Sequence, residues 1–153
     1  MSNIIDFAKK RGKIYFGTIN NWNEIDAHIY LFCTTHSKEV PEGSIVVEEL
    51  APSIELLLQK KAWLDKGLFD QRYDKFKEMY IKETENREDF QKALIRIKKL
   101  AEDGKEIVLF DDCGLGEYCH LNILKDIMKK EGYRVGEIKG IKKSEDPYSL
   151  IRW

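Results

Sequence analysis

The chain has 153 residues, and its 26 lysines and arginines against 27 aspartates and glutamates leave a formal net charge of -1. That balance excludes the concentrated positive charge with which duplex nucleic-acid binders release counterions, so no nucleic-acid partner is expected. Hydrophobic residues make up 42% and charged residues 35%, the composition of a globular domain with a charged exterior, and a chain of this length buries about 70% of its unfolded surface without staples. No segment approaches the run of about 20 apolar residues that a spanning helix needs, so no membrane partner is expected. Residues 1–8 carry an early acid at Asp6 and no secretory apolar core. The three cysteines, odd in number and irregularly spaced, suit reduced thiols better than a disulfide framework. These features predict one cytoplasmic domain over residues 1–153.

Along the chain, residues 13–19 and 28–33 read as strands rich in aromatic and β-branched side chains, and residues 44–48 as a third, shorter one. Pro52 and Ser53 give a start signal for a helix over residues 53–64. A second helix follows Gly67, in which Phe69, Tyr73, Phe76 and Tyr80 fall on one face and are expected to pack as core. A third is expected to start from Asn86 as cap, with an apolar face of Phe90, Leu94 and Ile97, and to stop at Gly104. The apolar run at residues 106–110 fits a strand buried on both faces. A glycine-containing loop then leads into a helix over residues 118–131, stopped by Gly132, and residues 133–138 form a last strand. Alternating strands and helices predict an α/β fold: a single three-layer domain with a small, mostly parallel sheet flanked by helices. Lysine-rich pieces such as Lys98-Lys99 and Lys129-Lys130 fall late in helices, where they complement the helix dipole and face water.

Ligands of open parallel sheets sit outside the carboxyl ends of the strands. Cys33-Thr34-Thr35-His36 follows the second strand, and Asp111 to His120 follows the fourth, so parallel strands would gather all three cysteines and two histidines on one edge. Three readings fit this grouping. Cys119 at a helix start would have a lowered thiol pKa and act as a nucleophile, with His120 as acid/base, although Asp111 and Asp112 would oppose the thiolate. Alternatively Cys33, His36, Cys113 and Cys119 or His120 converge on zinc, but the spacing is irregular and no metal is expected. In the third reading the cysteines are small buried hydrophobes. Gly114 and Gly116 lack the third glycine of a dinucleotide fingerprint and the lysine of a nucleotide-triphosphate loop, leaving backbone N–H groups that suit a small anion. His28 at a strand start reads as structural.

Ala51-Pro52-Ser53 before an apolar helix, Trp63, and Phe76-x3-Tyr80-x2-Glu83, in this order, resemble the family of domain of unknown function 488, particularly its YeaO-like branch. Cys119-His120 after an apolar strand resembles the Cys-His-Arg helix start of the other branch, with Leu121 in place of the arginine and Asp111 where a strand-end cysteine is common. The Trp-Pro-Arg segment of the YeaO-like branch is missing, and Thr34, Thr35 and His36 occupy that region. The resemblance implies the fold and the functional edge, and it adds Tyr80 and Glu83 as pocket residues. It implies no particular reaction or cofactor. The expected site is therefore a small-molecule site, anionic in preference, formed by Cys113, Gly114, Gly116, Cys119, His120, His36, Tyr80 and Glu83. Its thiol would make it an enzyme; the alternative is a module that sequesters a small ligand or binds a protein.

Overall fold

A computed structural model describes residues 12–34, 39–112 and 119–138. Strands β1 (Ile14–Thr18), β2 (Ile29–Phe32) and β3 (Ile45–Val46) precede helices α1 (Ile54–Asp65), α2 (Phe69–Asn86) and α3 (Glu88–Glu102). Strand β4 (Ile107–Asp111), helix α4 (His120–Lys130) and strand β5 (Val135–Glu137) follow. The five strands form one sheet in the order β3-β2-β4-β1-β5, and every pairing is parallel. The α/β fold with a parallel sheet is thus the observed one.

β4 lies at the centre because its five residues are buried throughout, which suits a run with no polar alternation until Asp111. Side chains alternate across the sheet. Ile14, Phe16, Leu31, Ile107 and Leu109 turn to one face, where they pack with Leu56 of α1, Phe76 and Tyr80 of α2, Phe90 and Leu94 of α3, and Leu124 of α4. Phe32, Val108 and Phe110 turn to the other, where Trp22, Ile25 and Ala27 of the β1–β2 connection pack against them. There Phe110 stacks between Phe32 and Trp22, at ring separations of 4.8 Å on either side. Alternation also places Asp111 and Cys33 on the helical face: each stands two residues beyond a core residue, Leu109 and Leu31.

The aromatic stripe of α2 is core, as its period predicts. Phe69, Phe76 and Tyr80 are buried, Tyr73 is partly so, and Tyr80 meets Phe90 edge-on at 6.3 Å. Gly104 and Gly132 close α3 and α4 with φ of 90° and 92°, the left-handed values that a residue with a Cβ resists. One boundary differs from expectation. Asn86 is the last residue of α2, and Arg87 is the hinge into α3, with no side-chain cap. The Arg87 guanidinium donates to the carbonyls of Ala51 and Glu49 (2.7 and 3.0 Å) and pairs with Glu83 and Asp89. These four partners hold its backbone extended one residue later than the Asn86 signal suggests.

Candidate functional site

Because all strands are parallel, β2 and β4 end on the same edge. Thr34 lies just beyond β2, Asp111 ends β4, and Asp112 follows it. α4 begins there at His120, and Ala51-Pro52 leads into α1 beside them. Together with Ile54, Leu57 and Lys60 of α1 they line a cavity of about 400 Å3. Its wall on the α1 side is apolar and open, with Ile54 67% exposed. Its floor is polar. Apart from tyrosines and cysteines, the buried polar side chains among the described residues are Lys60, Thr84, Asp111 and His120, and all but Thr84 line this one cavity.

Lys60 follows Leu56 by four residues, so the inward face of α1 carries a lysine where a core residue would ordinarily stand. It is 8% exposed. Its ammonium lies 5.6 and 5.7 Å from the ring centres of Phe69 and Phe76. Burial lowers the pKa of this amine, and the nearby Asp111 carboxyl counters the shift only in part. Asp111 is raised to about 7, chiefly by burial; the Asp112 backbone N–H donating to it at 2.7 Å opposes that rise, as does Lys60. His120, 3% exposed, is lowered to about 3 by burial and by the Lys60 charge, against which the Cys33 backbone acts too weakly. The imidazole is therefore neutral at pH 7. Its Nδ1 stands 3.3 Å from Asp111 Oδ2, yet among the described residues neither ring nitrogen has a hydrogen bond of good geometry. Buried polar groups are normally satisfied, and an unsatisfied one costs about 1–3 kcal/mol. The Tyr80 ring packs edge-on to His120 at 5.9 Å and fixes its plane.

Of the residues the sequence singles out, Cys119 and His120 meet Asp111, their ligand atoms all within 4.8 Å of one another. Cys119 is the N-cap of α4, one residue before the first turn expected for it, and Tyr73 donates to its carbonyl at 3.4 Å. Its sulfur is disulfide-bonded, which corrects the expectation of reduced thiols throughout and means that it is no thiolate in this state. Cys33 is a free thiol, fully buried, and is pushed well above its ordinary pKa by burial and by Asp111. It reads as core. Cys113, Gly114, Gly116 and His36 lie outside the described residues, and so does the zinc set that requires His36 and Cys113.

Tyr80 and Glu83 stand behind the cavity wall. The Tyr80 hydroxyl donates to the Leu50 carbonyl at 2.7 Å. The Glu83 carboxylate accepts from the Ser53 N–H and hydroxyl at 2.8 and 2.7 Å. Both thus brace the Ala51-Pro52-Ser53 step from which α1 enters the site. His28 accepts a hydrogen bond from the Glu106 N–H at 2.8 Å and is structural. Lys60 and Asp111 are the residues that sequence reasoning passed over. Gln59 and Lys61 flank Lys60 in α1, so no local pattern marks the first. An acid ending a fully apolar buried strand was the signal for the second.

Fold and site together define a parallel α/β domain with a buried Lys–Asp–His cluster opening at the strand carboxyl edge. The chain belongs to the domain of unknown function 488 family: a family model described as the active DUF488-N3 subclade matches residues 23–132, well over half of its length. Ala51-Pro52-Ser53, Glu83 and Cys119-His120, which carry the resemblance, all fall within that span. No curated protein and no solved structure matches the chain. Among the described residues no helix is long and apolar enough to cross a membrane.

Proposed function

We propose that the cavity binds a small molecule and moves a proton on it, with Asp111 as proton carrier, neutral His120 as its hydrogen-bonding partner, and the Lys60 charge favouring an anionic ligand. The observation that carries this reading is the convergence of three buried ionisable side chains, Lys60, Asp111 and His120, on one open cavity. Charges without partners are costly to bury, and such clusters are characteristic of functional sites. A carboxyl that titrates near 7 is poised to donate and to accept at neutral pH. The description of the matched subclade as active agrees with an enzyme. A thiol-dependent reaction at Cys119 would share the same cluster, but the disulfide must first be reduced. A binder without chemistry would need the cavity and Lys60 but no proton carrier.

The test is a thermal-shift screen of small carboxylates and phosphates against the full chain, repeated on Lys60→Met and Asp111→Asn. Stabilisation of the wild type that disappears in Lys60→Met is expected. Any turnover found should be lost in Asp111→Asn while binding is retained. If no anion shifts the melt, or if Lys60→Met leaves every shift in place, the anionic-site reading fails. Turnover that survives in Asp111→Asn and requires a reductant would move the chemistry to Cys119.

A further inference from the structure

The amine of Lys60 combines features that ion pairing alone does not explain. It is buried, it lines an open cavity, and among the described residues no carboxylate lies within 4.0 Å of it, whereas six other basic side chains have such a partner or share one. Aromatic rings rather than anions flank it. A lysine kept only to attract an anion gains nothing from such desolvation, since burial weakens the charged form. A lysine that must present a free electron pair gains from it directly.

Resting on the small-molecule reading above, we propose that Lys60 is a covalent site that forms an imine with the carbonyl carbon of a small oxo acid. Nζ attacks that carbon, a C–N bond forms, and the carbonyl electron pair moves to oxygen, which takes up a proton. The C–O bond of the resulting carbinolamine then breaks and the hydroxyl leaves as water with a second proton. The nitrogen gives up its protons in turn, so that amine plus carbonyl becomes imine plus water with no change in oxidation state. Asp111 is the group placed to deliver the proton to the leaving hydroxyl and to recover one from nitrogen, because its carboxyl shares the cavity and interacts with Lys60. The acid group of the ligand meets Lys61, the second lysine lining the cavity, whose side chain is 69% exposed and whose ammonium would be shared with Asp65 at 3.3 Å. The apolar side chains of Ile54 and Leu57 leave room for a short carbon chain.

The experiment is reductive trapping. The full chain is incubated at pH 7 with glyoxylate and cyanoborohydride, and each lysine's adduct is quantified by peptide mass spectrometry. Lys92, on α3 and with its side chain 72% exposed, is the internal reference. Lys60 should be labelled at least about tenfold faster than Lys92, and Asp111→Asn should reduce that preference by at least about tenfold. Glyoxylate binding is followed in parallel by thermal shift without reductant. Equal labelling of the two lysines, or none at Lys60, while glyoxylate still stabilises the fold, would overturn the imine and leave the binding pocket standing. Absence of both labelling and stabilisation would overturn the two together. Selective labelling of Lys60 that is indifferent to Asp111→Asn would remove Asp111 from the chemistry as proposed.

Discussion

Glu83 bonds to Ser53 while Asp111 shares a cavity with Ala51 and Pro52, and their surroundings make different groups of these two carboxylates. Glu83 has a full set of donors: the Ser53 N–H, the Ser53 hydroxyl and the Arg87 guanidinium, all within 3.3 Å. Among the described residues Asp111 has one backbone donor, the Asp112 carboxylate beside it, an imidazole at 3.3 Å without hydrogen-bond geometry, and a buried amine farther off. The first is spent on holding Pro52-Ser53 in place. The second is left with its proton near balance at neutral pH. The same division runs through the other buried polar groups. The Tyr80, Tyr133 and Thr84 hydroxyls each donate to a carbonyl, at 2.7, 3.0 and 2.8 Å, whereas among the described residues both nitrogens of His120 are unsatisfied. Satisfied burial stabilises the fold, and unsatisfied burial gathered in one cavity is what supports the proposed site.

Core packing away from the cavity should carry the largest effect. Phe76 is fully buried and touches Phe69, Tyr73 and Tyr80, so Phe76→Ala should cost about 3–5 kcal/mol in a denaturant melt. A loss below ~1 kcal/mol would show that the stripe is not core. Next comes Asp111, with the opposite sign. Its folded pKa, about 7, exceeds the unfolded value of about 3.9. Between those values the folded chain holds a proton that the unfolded chain has released, so this contribution is fully present below about pH 4 and lost as pH rises to 7. His120, lowered to about 3 from 6.5, runs the other way: its contribution is full above 6.5 and lost as pH falls. The two partly cancel in the wild type. Asp111→Asn removes the first, so relative to wild type the variant should gain stability as pH rises from 4 to 7, by a margin on the order of 3 kcal/mol. A difference that stays flat from pH 4 to 8 would mean an ordinary carboxyl.

Much of this was legible in the sequence. The period of Phe69 to Tyr80, the unbroken apolar run of β4 and the stop glycines fixed the elements, since each depends on local spacing. That β2 and β4 end on one edge followed from parallel pairing, and Cys119-His120 stands at the edge where the buried cluster lies. What spacing could not supply was burial. Lys60 looks like any solvated helix lysine until α1 is seen to turn Leu56 and Lys60 inward and leave Ile54 and Leu58 exposed. Asp111 looks like a strand-end acid until α4 closes over it. Asn86 is a good capping residue displaced by a long-range network at Arg87, which no local pattern contains. Tyr80 and Glu83, implied as pocket residues by resemblance, stand one layer behind it.

Glu83→Gln tests the satisfied side of the comparison and should have the smallest effect, about 1–2 kcal/mol. Glutamine keeps the shape and one oxygen, which can accept from the Ser53 N–H that now donates to Oε2 at 2.8 Å. Its amide nitrogen would face the Ser53 hydroxyl, which donates to Oε1 at 2.7 Å and also accepts from the Leu56 N–H at 3.2 Å. That hydroxyl must then turn its proton away, and the charge opposite Arg87, 3.3 Å distant, is gone. No backbone donor is abandoned, so the loss is that of charge assistance, not of an unsatisfied group. Glu83→Ala removes both acceptors and should cost more, with the added consequence that Ser53 no longer anchors the start of α1. Since Pro52 and Ile54 flank Ser53 and line the cavity, Glu83→Ala should also weaken anion-dependent stabilisation, while Glu83→Gln leaves it near wild type. If Gln and Ala variants destabilise equally, or if neither changes the ligand-induced shift, Glu83 does not brace the site and its network is merely one more surface ion pair.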